Sequence, residues 1–424
     1  MGDAPRVLLS AYQCGPGMGS VSQIGWEWYS RLSRRLPVTL VTHERNRATL
    51  TTAGIPFAGS EVHYIDTEWF AGPLYRNARR VFRKSEHSVF LVSSLDYFVY
   101  DREALERLRG LRRQGASWDV VHAVTPVSPS AVTRLHTLGW PLVLGPWNGG
   151  LVSPRNFPDL MQADSAWLYP VRNFSKLLDA VASCTRSAAR ILVANRTTLN
   201  FLPSDVRWKC DLVQENGVDL DVFRATPWPQ APAPGNPLRV LFVGRMIPAK
   251  AVAYLLEAVR RVLPEFPLRL QLVGDGPTRL EHEQQARALG VDHSVEFLGA
   301  RPLEEIAVLH SQAHVFCLPC VRESGGAVLL EAMASARPFI AVNYGGPAEL
   351  VDEEVGWPLA PDGREAVIAG LVDAFRDIVR NPAKWSEKGL RGRQRAERLY
   401  GWDAKIDWAV SLYRTLANRP ERKP

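Results

Sequence analysis

Apolar residues fall into two alternating kinds of stretch along this chain. Short apolar runs with strand character occur at 6–11, 37–42, 61–65, 119–123, 141–144 and 191–194, and again at 238–243, 268–273, 295–298, 314–318 and 339–342. Longer stretches with helical spacing separate them, among them 21–36 after the first run and 327–336 after the run at 314–318. Such alternation predicts parallel sheets covered by helices on both faces. It breaks at 224–237, where Pro227, Pro229, Pro232, Pro234 and Pro237 crowd together and periodicity vanishes, as expected of a linker. The expected organisation is an N-terminal domain over 1–225, a Pro-rich linker over 226–237, a second domain over 238–398 and a terminal segment over 399–424. In the last, an amphipathic helix over about 400–416 would turn Trp402, Ile406, Trp408, Leu412 and Tyr413 toward one side. The predicted fold class is α/β, two Rossmann-like doubly wound domains facing each other across a cleft, with both sets of strand ends opening onto it.

Length and composition agree with this division. A chain of 424 residues exceeds one core, and 46% hydrophobic with 22% charged residues is the balance of a globular protein. The net charge of +7 suits anionic ligands or an anionic membrane surface; no nucleic-acid motif accompanies it, so nucleic acid is not an expected partner. Five cysteines are few and odd in number, which suits a reducing compartment, and Cys317-x-x-Cys320 lacks the second pair that a zinc site needs. Residues 1–12 do not read as a signal peptide and no run reaches the ~18 apolar residues of a membrane span, so a cytoplasmic protein is expected. Residues 69–84 interleave Trp69, Phe70, Tyr75 and Phe82 with Arg76, Arg79, Arg80, Arg83 and Lys84, with no acid after Glu68. This is either a solvated basic face or a peripheral contact with anionic lipid at the inner face of a membrane.

The candidate chemistry gathers at strand ends. Glu323-Ser-Gly-Gly-Ala-Val-Leu-Leu-Glu331 puts two carboxylates around a Gly turn and the start of a helix. There Gly325 and Gly326 let the backbone approach an anion, and the first helical amides face it. On its own the pair reads more simply as one helix cap and one solvated surface acid, and it is the surrounding loops that reverse that reading. After the run at 238–243, Gly244-Arg245-Met-Ile-Pro-Ala-Lys250 offers two cations where a leaving diphosphate gathers charge. Gly274 and Gly276 follow the next run, Gly299 and Arg301 the third, and Gly345-Gly-Pro-Ala-Glu349 the last. In the N-terminal half, Gly15-Pro-Gly17-Met-Gly19 fails the dinucleotide fingerprint, because Ser20 stands where the third glycine belongs. With Glu44 nearby, a dehydrogenase survives as a poor alternative.

Taken in order, Gly244-Arg245 through Lys250, Val273-Gly-Asp-Gly276, Phe297-Leu-Gly299, Glu323 through Glu331 with Ala332-Met-Ala334, and Gly345-Gly-Pro-Ala-Glu349 resemble the retaining glycosyltransferases of family 4, whose fold is GT-B. Asn216-Gly-Val-Asp219 and the segment around Trp402 are similar to that family too. The resemblance implies a transferase that moves a sugar from a nucleotide-diphosphate sugar to a hydroxyl acceptor, lipid-linked or an oligosaccharide, with retention at the anomeric carbon. It places such an enzyme in polysaccharide or glycoconjugate biosynthesis, without a cofactor or obligatory metal. It implies that Arg245 and Lys250 bind the diphosphate, Glu323 contacts the sugar, Gly325 and Gly326 present amides, and Glu331 holds the ribose. Arg301 and Gly274 would line the donor, Gly19 would approach its phosphates, and Gly17 and Asn148 would lie on the acceptor side. The terminal helix would cross back onto the first domain.

His122 departs from that pattern. Expected at a strand end facing the cleft, it has Val124 where many family members carry a second His, so it reads as a sugar contact or as a packing residue. Asp219-Leu-Asp221 is the only Asp-x-Asp and supplies too few ligands for a metal by itself. Two rivals remain: a nucleotide-sugar epimerase or hydrolase of the same fold, and a non-catalytic sugar-nucleotide-binding protein.

Overall fold

The computed structural model describes residues 4–57, 59–81, 95–151, 154, 156–161 and 183–418. The chain forms two compact units. The first comprises Met1–Gly150, Ser165–Glu215 and Ile406–Pro424, the second Leu151–Asp164 and Asn216–Lys405.

The described strands of the first unit are β1 (Val7–Ala11), β2 (Val38–His43), β3 (Glu61–Ile65), β4 (Val120–Thr125), β5 (Leu142–Trp147), β6 (Arg190–Val193) and β7 (Cys210–Leu212). They pair in parallel in the order β3-β2-β1-β4-β5-β6-β7. Val7 to Ala11 are buried throughout, as a central strand covered on both faces requires. The helix Ser20–Leu32 turns Ile24, Trp28 and Leu32 inward at four-residue spacing. The expected fifth strand stops at Leu144, whereas β5 continues through Gly145 and Pro146 to Trp147, with a register shift after Leu144. Gly145, Pro146 and Trp147 therefore belong to the strand.

The second unit contains β8 (Leu238–Val243), β9 (Leu268–Val273), β10 (Val295–Gly299), β11 (Val315–Leu318), β12 (Phe339–Val342) and β13 (Gly356–Leu359), again parallel, in the order β10-β9-β8-β11-β12-β13. Chain order runs outward from β8 through β9 to β10, then restarts at β11 on the other side. The topological switch therefore lies between β8 and β11, where open parallel sheets bind ligands beyond the carboxyl ends of their strands.

The division falls differently from the sequence expectation. Residues 216–225 lie with the second unit, and the Pro-rich stretch is held by that unit's own groups. Trp228 Nε1 donates to His314 O at 2.8 Å, His314 Nε2 bonds Gln230 O at 2.8 Å, and the buried Arg337 donates to the carbonyls of Thr226 and Pro227 at 3.0 Å. Proline removes backbone donors, and here the carbonyls it leaves are captured by side chains. The terminal helix, Trp402–Ala417, buries Trp402, Ile406, Tyr413 and Leu416; Trp408, expected on that side, points to solvent at 39% exposure. The boundary between the units falls within this helix, after Lys405.

Candidate active site

Four loops at the switch point are locked together through glycine backbones. Gly244 N donates to Val273 O at 2.9 Å and Met246 N to Asp275 O at 2.8 Å, so the loop after β9 braces the loop after β8. Gly274, at φ +126°, has no room for a side chain: a Cβ there would run into the Gly244 carbonyl oxygen. On the other side Gly346 N donates to Glu323 O at 2.9 Å, and a Cβ on Gly346 would meet Ser324 O. Val321 N donates to Ala249 O at 3.0 Å, joining the loops after β8 and β11.

That bracing brings Lys250 and Glu323 into direct contact, 73 positions apart in sequence. Lys250 Nζ donates to Glu323 Oε2, with the two side chains only 16% and 18% exposed. Glu323 Oε1 accepts from the amides of Gly325 at 3.3 Å and Gly326 at 3.4 Å, where the helix Ala327–Ala334 begins. Burial alone would raise this carboxyl, but the Lys250 charge and the two amides outweigh it and hold Glu323 below the usual carboxylate range. Burial likewise works against the Lys250 ammonium, and Glu323 helps to keep it charged. The carboxylate of Glu323 thus occupies a cradle of one cation and two amides, the donor set that fits a phosphate oxygen. Arg245 lies on the exposed part of the same β8 loop.

Glu331 sits one and a half turns into that helix. The residue as a whole keeps some surface, but its Oε2 is buried and has no hydrogen-bond partner among the described residues. The atom rather than the residue average governs the charge, and burial pushes this carboxyl up to about 7. A buried carboxyl oxygen without a partner is a place for a hydroxyl donor from a ligand.

Residues 237–377 match the family model described as Glycosyl transferases group 1. This segment belongs to that family. The D-inositol 3-phosphate glycosyltransferase of Kribbella flavida is 33% identical over 215 residues, 47% of this chain and 49% of that protein. The chain spans about half the length of the curated relatives it matches. Among solved structures, a glycosyltransferase from Rickettsia africae superposes with a TM-score of 0.67 at 13% identity, covering 99% of this chain and all of that one. Anabaena HepE in complex with UDP and glucose gives 0.60 at 15% identity, covering 97% and 99%. The fold is GT-B, with two parallel-sheet Rossmann-like units. The group 1 segment contains every element that carries the Lys250–Glu323–Glu331 arrangement.

The remaining residues singled out in the sequence lie elsewhere. Arg301 is exposed after the edge strand β10, where its Nε donates to Leu298 O at 3.0 Å and its Nη1 reaches Glu305 at 3.3 Å; it is not brought to the Lys250 pair. In the first unit, Gly17 and Gly19 lie on an exposed loop after β1, both at positive φ, beside an open cleft of about 400 Å³ lined by Pro16, Ala48, Thr49, Thr52 and Ala53. Asn148 has its amide committed within this unit: Nδ2 donates to Glu215 at 2.5 Å, and Oδ1 accepts from Asn195 at 3.3 Å. Asp219 Oδ1 accepts from Asp221 N at 2.9 Å and Val222 N at 3.3 Å, closing a turn. Cys317 and Cys320 are fully buried, and burial pushes the Cys320 thiol up to about 12.

His122 is a correction. It lies within β4 rather than at a ligand-facing strand end, and it is fully buried. Its Nε2 is 2.6 Å from Gly145 O, which can only accept, so Nε2 carries the proton and Nδ1 accepts from Tyr413 Oη at 2.6 Å. The Trp28 ring packs edge-on at 4.9 Å, and burial lowers the imidazole to about 4. Such a histidine anchors residues 406–417 in the first unit and has no free nitrogen for a sugar.

Sequence reasoning missed a polar network at the carboxyl ends of β1 to β3. Tyr12 donates to Asp96 at 2.6 Å, and Arg45 pairs with Asp96 at 3.0 Å and with Glu68. Tyr12, Arg45 and Glu68 each follow a strand end within three positions, which was the available signal.

Proposed function

We propose that this chain is a glycosyltransferase that moves a sugar from a nucleoside-diphosphate donor to a hydroxyl acceptor with retention of the anomeric configuration. The observation that carries this reading is the cradle of Lys250 and the Gly325 and Gly326 amides at the switch point, with the buried Oε2 of Glu331 on the helix it opens. A donor diphosphate would take over Lys250 and the two amides, joined by Arg245, and so release Glu323 toward the sugar. Glu331 would accept from the ribose hydroxyls.

As the bond from the anomeric carbon to the phosphate oxygen breaks, its electron pair passes to the diphosphate, and the fixed cations and amides stabilise that charge. The acceptor oxygen bonds the same face of the sugar, and its proton passes to the departing phosphate oxygen. No separate base is required, and the positive charge that a metal would bring is supplied by Lys250 and Arg245. The names of the relatives support a sugar transfer, and a UDP donor is supported by the UDP and glucose held by Anabaena HepE.

A membrane contact belongs to the same reading. The helix Glu68–Val81 buries Ala71 and Ala78 and exposes Arg76, Arg79 and Arg80 with Trp69 at 67%, a face suited to anionic lipid carrying or surrounding the acceptor. Phe82, Arg83 and Lys84 lie outside the described residues.

A panel of nucleotide sugars, screened by thermal shift and then assayed for a glycoside product, tests the transferase reading. Lys250→Ala and Glu331→Ala should each lower turnover by ~10²-fold or more, the scale for losing one preorganised electrostatic contact. Near-normal turnover in both would remove the site assignment, and donor binding with no product under any acceptor would favour a binding protein.

A further inference from the structure

Leu151, Pro154 and residues 156–161 stand between β5 and β6 in the sequence, yet they belong to the second unit. Their described members are firmly anchored there. Phe157 is fully buried in that unit's core, its ring 6.4 Å from Tyr254. Asp159 accepts from Tyr254 Oη at 2.8 and 2.7 Å and from Arg364 Nη1 at 3.2 Å. Arg364 in turn pairs with Glu257 and lies over the Tyr254 ring at 5.0 Å. Asn156 Nδ2 donates to Pro361 O at 3.4 Å. Anchors so near in sequence restrict where Leu151 can go.

Leu151 reaches the candidate active site. Its Cδ1 and Cδ2 lie 3.2 and 3.3 Å from the point that a Cβ on Gly345 would occupy, and the same point is in contact with the carbonyl oxygen of Glu323. Gly345 stands at φ +67°, so no side chain of its own is accommodated there. The apolar surface over this junction of the loops after β11 and β12 is supplied by a residue 194 positions upstream. It adjoins the peptide of the residue whose carboxylate pairs with Lys250.

We propose that Leu151 is a specificity-determining residue of the donor site, an apolar wall on the sugar side of Glu323. The inference rests on the reading of Glu323 as the residue that faces the transferred sugar. Leucine offers no hydrogen-bonding group, so it cannot pair with a sugar hydroxyl; it excludes volume and favours the C–H face of a ring. A wall of this kind discriminates by room, for instance between a hydroxyl and an N-acetylamino substituent on otherwise identical sugars. Changing such a wall by a methylene or more is worth ~10-fold or more in relative kcat/KM.

The test compares the native protein with Leu151→Ala, Leu151→Phe and Leu151→Met on UDP- and GDP-linked sugars that include glucose, N-acetylglucosamine and mannose. The inference expects the Ala variant to shift the kcat/KM ratio toward the bulkier donor by ~10-fold or more, the Phe variant to move it the other way, and the Met variant to keep the native ratio. Affinity for UDP or GDP alone, by calorimetry, should stay within about threefold, because the diphosphate end is held by Lys250 and the amides. A parallel loss on every donor, or a fall in nucleotide affinity that accounts for the loss, would overturn the specificity role and leave Leu151 a packing residue. A native protein that transfers none of these sugars and binds none of their nucleotides would instead overturn the reading of the site, and the inference with it.

Discussion

Glu323 and Glu331, eight positions apart, are shifted in opposite directions from the usual carboxylate range because their surroundings differ. Glu323 is held ionised by Lys250 and two amides, whereas Glu331 has only burial acting on it. The consequence for stability has a definite sign. The folded value for Glu331 is about 7 against an ordinary value of 4.5, so across that window the native chain keeps a proton that the unfolded chain has lost. Stability should therefore be fully present below the lower value and fall as pH rises toward the upper one. Glu331→Gln removes that slope and should leave the variant more stable than the native protein at pH 8 by about 1–3 kcal/mol, with a smaller gap at pH 5. Urea titrations at the two pH values read this directly, and equal slopes in both proteins would mean that Glu331 is ionised in the fold. The same carboxyl makes nucleotide binding a proton-linked event. A ribose hydroxyl donating to Oε2 favours the charged form, so binding near pH 7 should release a proton, seen as a calorimetric enthalpy that depends on buffer ionisation in the native protein and not in Glu331→Gln.

Loops set the position of Glu323 and its partner Lys250, a helix that of Glu331, and the glycines in the loops are the points of least tolerance. Gly274→Ala would drive a Cβ into the Gly244 carbonyl at a backbone angle that alanine rarely adopts, and should cost about 2 kcal/mol or more, read as a lowered unfolding midpoint. Gly290, also at positive φ but with nothing within 4 Å of its Cβ position, is the control and should lose less. Strand bounds are legible in the sequence where an apolar run is sharply bordered, at an edge as well as inside a sheet, since Glu61–Ile65 is announced in full although it is the edge strand β3. β8, β9 and β12 have the bounds that their apolar runs announce: β12 is buried at every position, and in β9 the buried Leu268, Leu270 and Leu272 alternate with the exposed Arg269 and the half-buried Gln271. The two that escape, β7 and β13, are edge strands: Cys-Asp-Leu is short and half polar, and Gly-Trp-Pro-Leu is short and interrupted by a proline. Lys250 and Glu323 could be named as site candidates because they stand on the loops that follow β8 and β11, and Glu331 because it stands on the helix that the second of these loops opens. That Lys250 would grip Glu323 itself could not be read, since linear spacing says nothing of side-chain direction across two loops. His122 misled for the complementary reason, because a polar residue in an apolar strand looks functional until its two buried partners are seen.

Neither unit is a continuous stretch of chain, and this governs how the molecule can be divided. Composition places the cut in the Pro-rich stretch, but each half of such a cut lacks something the other carries. A fragment of residues 1–225 loses Tyr413 and leaves His122 Nδ1 buried without its donor, a defect of about 1–3 kcal/mol. The same fragment also loses the buried faces of Ile406 and Leu416. A fragment of residues 226–424 loses Phe157 from its core, which on the scale of Phe→Ala substitutions costs about 3–5 kcal/mol. It also leaves Tyr254 and Arg364 without Asp159. Set against a net stability of about 5–15 kcal/mol for an ordinary domain, these losses are large fractions of the whole. Each fragment alone should therefore melt well below the intact chain or without a cooperative transition, and co-expression of the two should restore a cooperative one. In the intact chain, Phe157→Ala should reproduce the loss in the second unit without breaking the backbone, and Tyr413→Phe the smaller loss in the first. Fragments that each melt cooperatively at the temperature of the whole protein would show that the returning helix and the Phe157 segment add little to the units they complete.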